Sequence, residues 1–258
     1  AEAAVSGEHV ATGRTADILA LPGGRVVKLF FPDTPDHVVE TERHNSTAAH
    51  DLGATAIRCH GTEVHDGRTG LVFDRVGGES LTRIGERNLL QVRACGRELA
   101  RVHAALHARP GNPFPALHPF THELLERPAM AFLSPAQRAG LRARLDALPR
   151  GDRVLHMDFH TSNVFAHGEG HAIIDWQTTL RGAPAADVAM TRFLLAEAEL
   201  FPGTPWWKKV VYNAVRRQLR DAYLAEYLAV TGTPPQAIDA WRLPALVHRL
   251  ALWDIPSE

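Results

Sequence analysis

The 258-residue chain is predicted to be an α+β protein of two lobes, a small β-rich N-terminal lobe followed by a larger, mainly helical C-terminal one. Three features carry that expectation. Strand-like runs separated by turn residues dominate the first 76 positions. Beyond the short GGES segment at 77–80 the apolar residues fall at helical spacing and stay so for most of the chain. The length suits one large domain or two modest ones within a single globular unit. The boundary is placed at that segment, giving residues 1–76 and 77–258.

The first strands are read in VSGEHVAT, ADILAL and RVVKLF, with a tight turn at Pro22 to Gly24 between the last two. Thr34 as cap, Pro35 as first helical residue, Asp36 in the first turn and Gly53 as stop predict a helix over 35–52. AIRCHGTEV and TGLVFDRV supply further strands. Apolar residues Val92, Cys95, Leu99, Val102 and Leu106 make a helical stripe. The proline-rich stretch at 109–120 reads as a loop, and SPAQRAGLRARLDAL at 134–148 as a helix opened by a capping serine. Two more helices are read in PWWKKVVYNAVRRQLRDAYLAEYLAV and in the segment ending LVHRLALW.

Twenty-eight Lys and Arg against 29 Asp and Glu leave a net charge of −1, too little positive field for a nucleic-acid or anionic-membrane partner. No apolar run approaches the roughly 18 residues of a membrane span, and AEAAVSGEHV lacks the basic start and apolar core of a signal segment. Cys59 and Cys95 stand far apart without CxxC spacing, which suits a reducing cytoplasm.

The chemistry concentrates in HMDFHTSNVF at 156–165 and in the following AHGEGHAIIDW. The turn His167 to Gly170 predicts a hairpin of 163–166 with 171–174. Stepping outward from Ala166 opposite His171 puts Asn163 at the same end as Asp175. Opposed residues of antiparallel strands stand roughly 5 Å apart, so an amide oxygen and a carboxylate would suit a hard cation such as Mg²⁺. Asp158 adds a second carboxylate. Two oxygen ligands and a carboxylate base are what phosphoryl transfer asks of a protein, and His-x-Asp-x4-Asn followed by a strand, a turn and an Asp has the spacing of a kinase catalytic loop and its metal-binding aspartate.

That reading needs a phosphate-binding lysine and an acid to hold it. Alternation puts Lys28 of RVVKLF on one face with Val26 and Phe30, and helical spacing turns Glu42 inward with Val38, Asn45, Ala49 and Leu52 while Glu40 faces away. A buried lysine and a buried glutamate are each costly alone and compensate each other as a pair. ATGRTAD would lie over the phosphates, Gly13 allowing close backbone approach and Arg14 adding positive charge.

With these motifs the chain resembles the aminoglycoside phosphotransferase and choline kinase-like family of small-molecule kinases, which have a protein-kinase-like fold. The resemblance extends from ATGRTADILALPGGRVVKLF to AIIDWQTTLRGAPAADVAMTRF. It implies Asp158 as catalytic base, Asn163 and Asp175 as Mg²⁺ ligands, Lys28 on the nucleotide's phosphates and Glu42 as its helix partner. DRVGGES with the preceding Phe73, hence Phe73, Asp74 and Val76, resembles the hinge that reads the nucleotide base. Asp187 resembles a structural aspartate that buttresses the catalytic loop. Met157 stands where the family usually has glycine, and Thr161 where it often has proline.

The expected activity is transfer of the γ-phosphoryl group of ATP or GTP to a hydroxyl of a small molecule: an aminoglycoside or other antibiotic, a sugar or an amino alcohol. Antibiotic resistance is among the roles this implies. Two alternatives stand beside it, a nucleotide-binding pseudokinase and a metal-dependent hydrolase built on His156, Asp158, His160, His171 and Asp175. His156 and His103 are read as scaffold histidines.

Overall fold

The computed structural model describes residues 8–13, 15–196 and 206–253, the side chains of 206–211 and 253 excepted. Arg14 lies outside the described residues. The chain divides into two compact units. One runs to Glu79 and takes back Val164–Thr178; the other is Ser80–Asn163 with the chain from Thr179 onward.

The first unit is an antiparallel sheet with one helix. Strands β1 (His9–Thr12), β2 (Ala16–Leu21) and β3 (Arg25–Phe30) form a meander, and after α1 (Asp36–Asp51) come β4 (Cys59–His65) and β5 (Arg68–Asp74). The sheet order is β1-β2-β3-β5-β4. Val27, Leu29 and Val72 are buried on one face of the sheet, and Phe30 and Leu71 on the other, where Val39 of α1 packs; branched and aromatic residues suit such a pleated surface. Helix α1 buries Val39, Glu42, Asn45, Ser46, Ala48 and Ala49, while Glu40 stays exposed and pairs with Arg43. Its cap differs from the sequence expectation. Pro35, still extended with ψ 142°, is the N-cap residue and has no side-chain cap bond, while Thr34 closes the preceding turn through its own N–H to the Phe31 carbonyl.

The second unit begins with α2 (Leu81–Arg87) and α3 (Val92–His107), whose buried stripe runs Val92, Cys95, Gly96, Leu99, Ala100, His103, Leu106 and His107. Then follow α4 (Leu117–Leu124), α5 (Pro135–Asp146) and the short strand β6 (Arg153–Leu155). The loop expected over 109–120 is shorter than read, since α4 starts at Leu117. Helix α5 opens with the expected Ser134, in a capping box with Gln137.

Strands β7 (Val164–His167) and β8 (Gly170–Ile173) return to the first unit as a hairpin. Its register is the one expected, Ala166 opposite His171 and Val164 opposite Ile173. Strand β9 (Leu180–Gly182) pairs antiparallel with β6, and α6 (Pro184–Ala196), α7 (Trp206–Thr231), α8 (Pro235–Ala240) and α9 (Arg242–Trp253) complete the second unit. Among the described residues no helix is long and apolar enough to cross a membrane. Cys59 and Cys95 are free and buried.

Candidate active site

In the first unit Lys28 sits mid-strand in β3, opposite Ile18 of β2 and Leu71 of β5. Its ammonium donates to both carboxylate oxygens of Glu42, at 2.6 and 2.8 Å, and to Asp175 Oδ1 at 3.3 Å. The Phe30 ring centroid lies 5.5 Å away. Burial works against a charge on Lys28, but Asp175 and Glu42 outweigh it and hold its pKa above the usual lysine value. Burial pushes Glu42 up to about 7, against the pull of Lys28. The ammonium is therefore the secure charge, shared between two carboxylates, and Glu42 is the softer partner.

Helix α1 positions more than Glu42. One helical turn on, Asn45 donates from Nδ2 to the carbonyls of Trp176 and Gln177, at 3.0 and 3.3 Å, and Thr55 beyond the helix donates to the Ile173 carbonyl at 2.7 Å. These bonds grip both sides of Asp175, whose φ of 67° is left-handed and is tolerated by Asp better than by most side chains. With 38 % of its side chain exposed, Asp175 keeps lone pairs beyond the one facing Lys28.

The remaining residues read in the first unit fall into two groups. Asp74 ends β5 with its carboxylate spent locally, accepting from the Arg58 N–H at 3.0 Å and bonded to His60 at 2.7 Å. Phe73 packs on the cluster of Ala16, Phe30, Val39, Cys59 and Leu71, and Val76 is half-buried. Gly78 has φ 97°, and a side chain there would place Cβ 2.1 Å from the Ala166 carbonyl oxygen. Only glycine lets this segment lie against β7, where the Ala166 N–H donates to the Glu79 carbonyl at 3.0 Å. Gly13 turns the chain between β1 and β2, its N–H donating to Ala16.

In the second unit the segment 156–163 is pinned at both ends. Asp187, in the first turn of α6 where the helix N-terminus favours a negative charge, accepts from the backbone N–H of His156 at 2.5 Å and of Met157 at 2.9 Å. Asp187 is fully buried, and although burial works the other way, His103 and His107 hold its carboxyl far below the usual carboxylate range. At the other end the Thr82 hydroxyl meets Thr161 Oγ1 at 2.8 Å and Ser162 Oγ at 2.9 Å, and the Thr82 N–H donates to the Thr161 carbonyl at 3.2 Å. Thr161 thus makes a side-chain bond that proline could not.

Between those anchors lies Asp158. Asn163 donates from Nδ2 to the Asp158 carbonyl at 3.0 Å and approaches its carboxylate at 3.4 Å, while His160 Nε2 stands 3.6 Å from Asp158 Oδ2. Burial alone would raise Asp158, but the His160 contact and the charges of His156 and Arg249 outweigh it and keep its pKa below the ordinary value. Arg249, buried on α9, was not singled out from the sequence, and neither were His107, Tyr223 or Tyr227. The available signal was i,i+4 spacing, His103 with His107 and Tyr223 with Tyr227.

Chemically, the Asp158 carboxylate is ionised and able to accept a hydroxyl hydrogen. The Asn163 amide nitrogen is committed to Asp158, which leaves its oxygen as the kind of donor that a hard cation takes; in the first unit, the Asp175 carboxylate is a donor of the same kind. Lys28 can neutralise phosphate charge. Among the described residues the His, Cys, Asp and Glu group whose ligand atoms converge is His103, His107 and Asp187, which includes none of the residues of the hydrolase reading.

Comparison with known proteins agrees with this chemistry. Residues 12–242 match the profile of the phosphotransferase enzyme family. No curated protein matches the chain. Among solved structures, an aminoglycoside-3'-phosphotransferase of type VIII aligns with TM-score 0.62 at 18 % identity over 93 % of this chain and 91 % of that one. Aminoglycoside phosphotransferase APH(3'')-Id from Streptomyces rimosus, in complex with ADP and streptomycin, aligns with TM-score 0.58 at 19 % identity, covering 96 % and 94 %. A thermostable mutant of APH(4)-Ia in ternary complex with AMP-PNP and hygromycin B gives TM-score 0.63 at 16 % identity, covering 96 % and 86 %. The α+β fold expected from the sequence is the fold these proteins share.

Proposed function

Given that the chain belongs to the phosphotransferase enzyme family, we propose that it transfers the γ-phosphoryl group of ATP or GTP to a hydroxyl of a small molecule, with antibiotics of the aminoglycoside kind as the first acceptors to try. The observation that carries the reading is Asp158: a carboxylate kept ionised beside Asn163, in a segment whose backbone is pinned by Asp187 and Thr82. Its task is to orient the acceptor hydroxyl and take its proton as the bond to phosphorus forms. Lys28, fixed by Glu42, neutralises phosphate oxygens. Asn163 and Asp175 are the proposed Mg²⁺ ligands, and the ion, when bound, screens charge on the phosphates. Phe73, Asp74 and Val76 are the proposed hinge for the base, with Gly13 and Arg14 near the phosphates. Relatives whose structures hold AMP-PNP and ADP support a nucleotide donor, and the buried free cysteines suit the cytoplasm as its location.

Thermal unfolding with ATP, GTP or neither, each with and without Mg²⁺, tests the nucleotide half. A ligand at 100 times its Kd adds about 2.7 kcal/mol of stability, so a shift that requires nucleotide and Mg²⁺ together, and shrinks in Asp175→Asn, is expected. Equal shifts in the variant and the parent would remove Asp175 from the metal.

A further inference from the structure

The wall behind Asp187 is a two-rung ladder. On α3, His103 and His107 lie one helical turn apart; on α7, Tyr223 and Tyr227 do the same. His103 Nδ1 is 2.7 Å from the Tyr223 hydroxyl, and His107 Nδ1 is 2.7 Å from the Tyr227 hydroxyl. The opposite nitrogens meet the same carboxylate oxygen: His103 Nε2 and His107 Nε2 stand 3.0 and 3.3 Å from Asp187 Oδ2. All five side chains are buried.

We propose that Tyr223 and Tyr227 are positioning residues for the segment that carries Asp158, each hydroxyl donating to Nδ1 of its histidine and so leaving that ring's proton on Nε2, aimed at Asp187. The proton bookkeeping follows from the acceptor. An ionised carboxylate only accepts, so the nitrogen facing it must carry hydrogen. Burial holds His103 neutral, with a pKa down to about 3, so its one proton is on Nε2 and Nδ1 is a bare lone pair. The Tyr223 hydroxyl must then be the donor. The second rung repeats this geometry.

Each rung fixes an imidazole tautomer from behind, as a partner on the far nitrogen does elsewhere. Asp187 in turn receives three N–H groups in hydrogen-bond geometry, from the His107 ring and from the backbone of His156 and Met157, with His103 Nε2 a further 3.0 Å contact to Oδ2. Loss of a tyrosine hydroxyl frees its ring to carry the proton on either nitrogen. Whenever Nε2 is bare it repels Asp187, and the backbone beside Asp158 loses its fixed anchor. The same three groups are close enough to share an ion, but Oδ2 already takes the His156 N–H and the His107 ring N–H.

The catalytic half of this inference rests on Asp158 acting in phosphotransfer; the tautomers do not, and the test separates the two. Long-range proton–nitrogen correlation spectra of ¹⁵N-histidine-labelled protein read each ring directly. The parent is expected to show Nε2–H tautomers for His103 and His107, Tyr223→Phe to perturb His103 alone, and Tyr227→Phe to perturb His107 alone. Each variant is expected to slow hydrolysis of Mg·ATP, with water standing in as acceptor, roughly tenfold in kcat while the nucleotide KM moves less than about twofold. Nδ1–H rings in the parent, unchanged rings in both variants, unchanged kcat with a perturbed ring, or stoichiometric zinc in the purified protein would each overturn the proposal. If one variant does not fold, the other rung gives the same reading. A parent that binds nucleotide but turns over nothing would sink the phosphotransfer reading, while the ring spectra would still decide the tautomers.

Discussion

Met157, the neighbour of Asp158, holds a left-handed backbone with φ 63° and is buried. Left-handed backbone costs a side-chain-bearing residue about 1–2 kcal/mol, which gives a physical reason for the glycine usual at this position among the proteins the chain resembles. Removing a buried methionine side chain costs more, about 2–5 kcal/mol. Met157→Gly should therefore be destabilised overall, yet more stable than Met157→Ala by about 1 kcal/mol, because alanine leaves the same cavity and keeps the strain. Urea unfolding of the two variants decides it; alanine the more stable would mean the backbone is not strained. The Lys28 and Glu42 pair was legible in the sequence because each was an isolated charge on an apolar face, of β3 and α1 respectively. Tyr223 and Tyr227 were not, because a tyrosine inside a helical stripe looks like ordinary core until its hydroxyl partner, 120 positions away in both cases, is known.

Helices α3 and α7 can carry that ladder because Gly96 lets them touch. A Cβ on Gly96 would lie 2.5 Å from the Leu219 carbonyl oxygen and 3.1 Å from Ala222 Cβ. Gly96→Ala should force the helices apart and cost about 1–3 kcal/mol. Gly140, in exposed α5, faces open space, so Gly140→Ala should stabilise by about 0.5–1 kcal/mol through helix propensity alone. Thermal or urea unfolding of both variants should give opposite signs; equal effects would mean the α3–α7 approach is looser than the structure shows. Period and capping made α3 and α5 readable at this scale. Helix α4 was partly hidden by its own proline: Pro119 is its third residue, where a missing N–H removes no intrahelical bond. The pairing of β6 with β9, three residues each, left no local pattern to read.

For the molecule as a whole, two buried histidines set the acid limit of stability. His103 and His248 are both lowered to about 3 by burial, from an ordinary 6.5. Each is neutral in the folded protein and charged in the unfolded chain below pH 6.5, so the unfolded state binds more protons and folding is favoured as pH rises. Their contribution is complete above about pH 6.5 and is lost as pH falls toward about 3, at up to about 2.7 kcal/mol per pH unit for two protons. His248→Gln should lower the slope of stability with pH by up to about 1.4 kcal/mol per unit in urea titrations between pH 6 and 5; an unchanged slope would mean His248 is already charged in the fold. A change of pattern near residue 77 could be read from the sequence, but the return of Val164–Thr178 to the first unit could not. That return depends on bonds such as Asn45 to Trp176, which join positions far apart in the chain. The most direct test of the central claim is turnover by Asp158→Asn beside the parent, with Mg·ATP and Mg·GTP against a panel of hydroxyl-bearing antibiotics, nucleotide binding being measured on the same samples. Binding within about twofold of the parent is expected, with turnover reduced roughly 10²–10⁴-fold, the usual worth of a positioned base; near-parental turnover in Asp158→Asn would remove Asp158 from the base role.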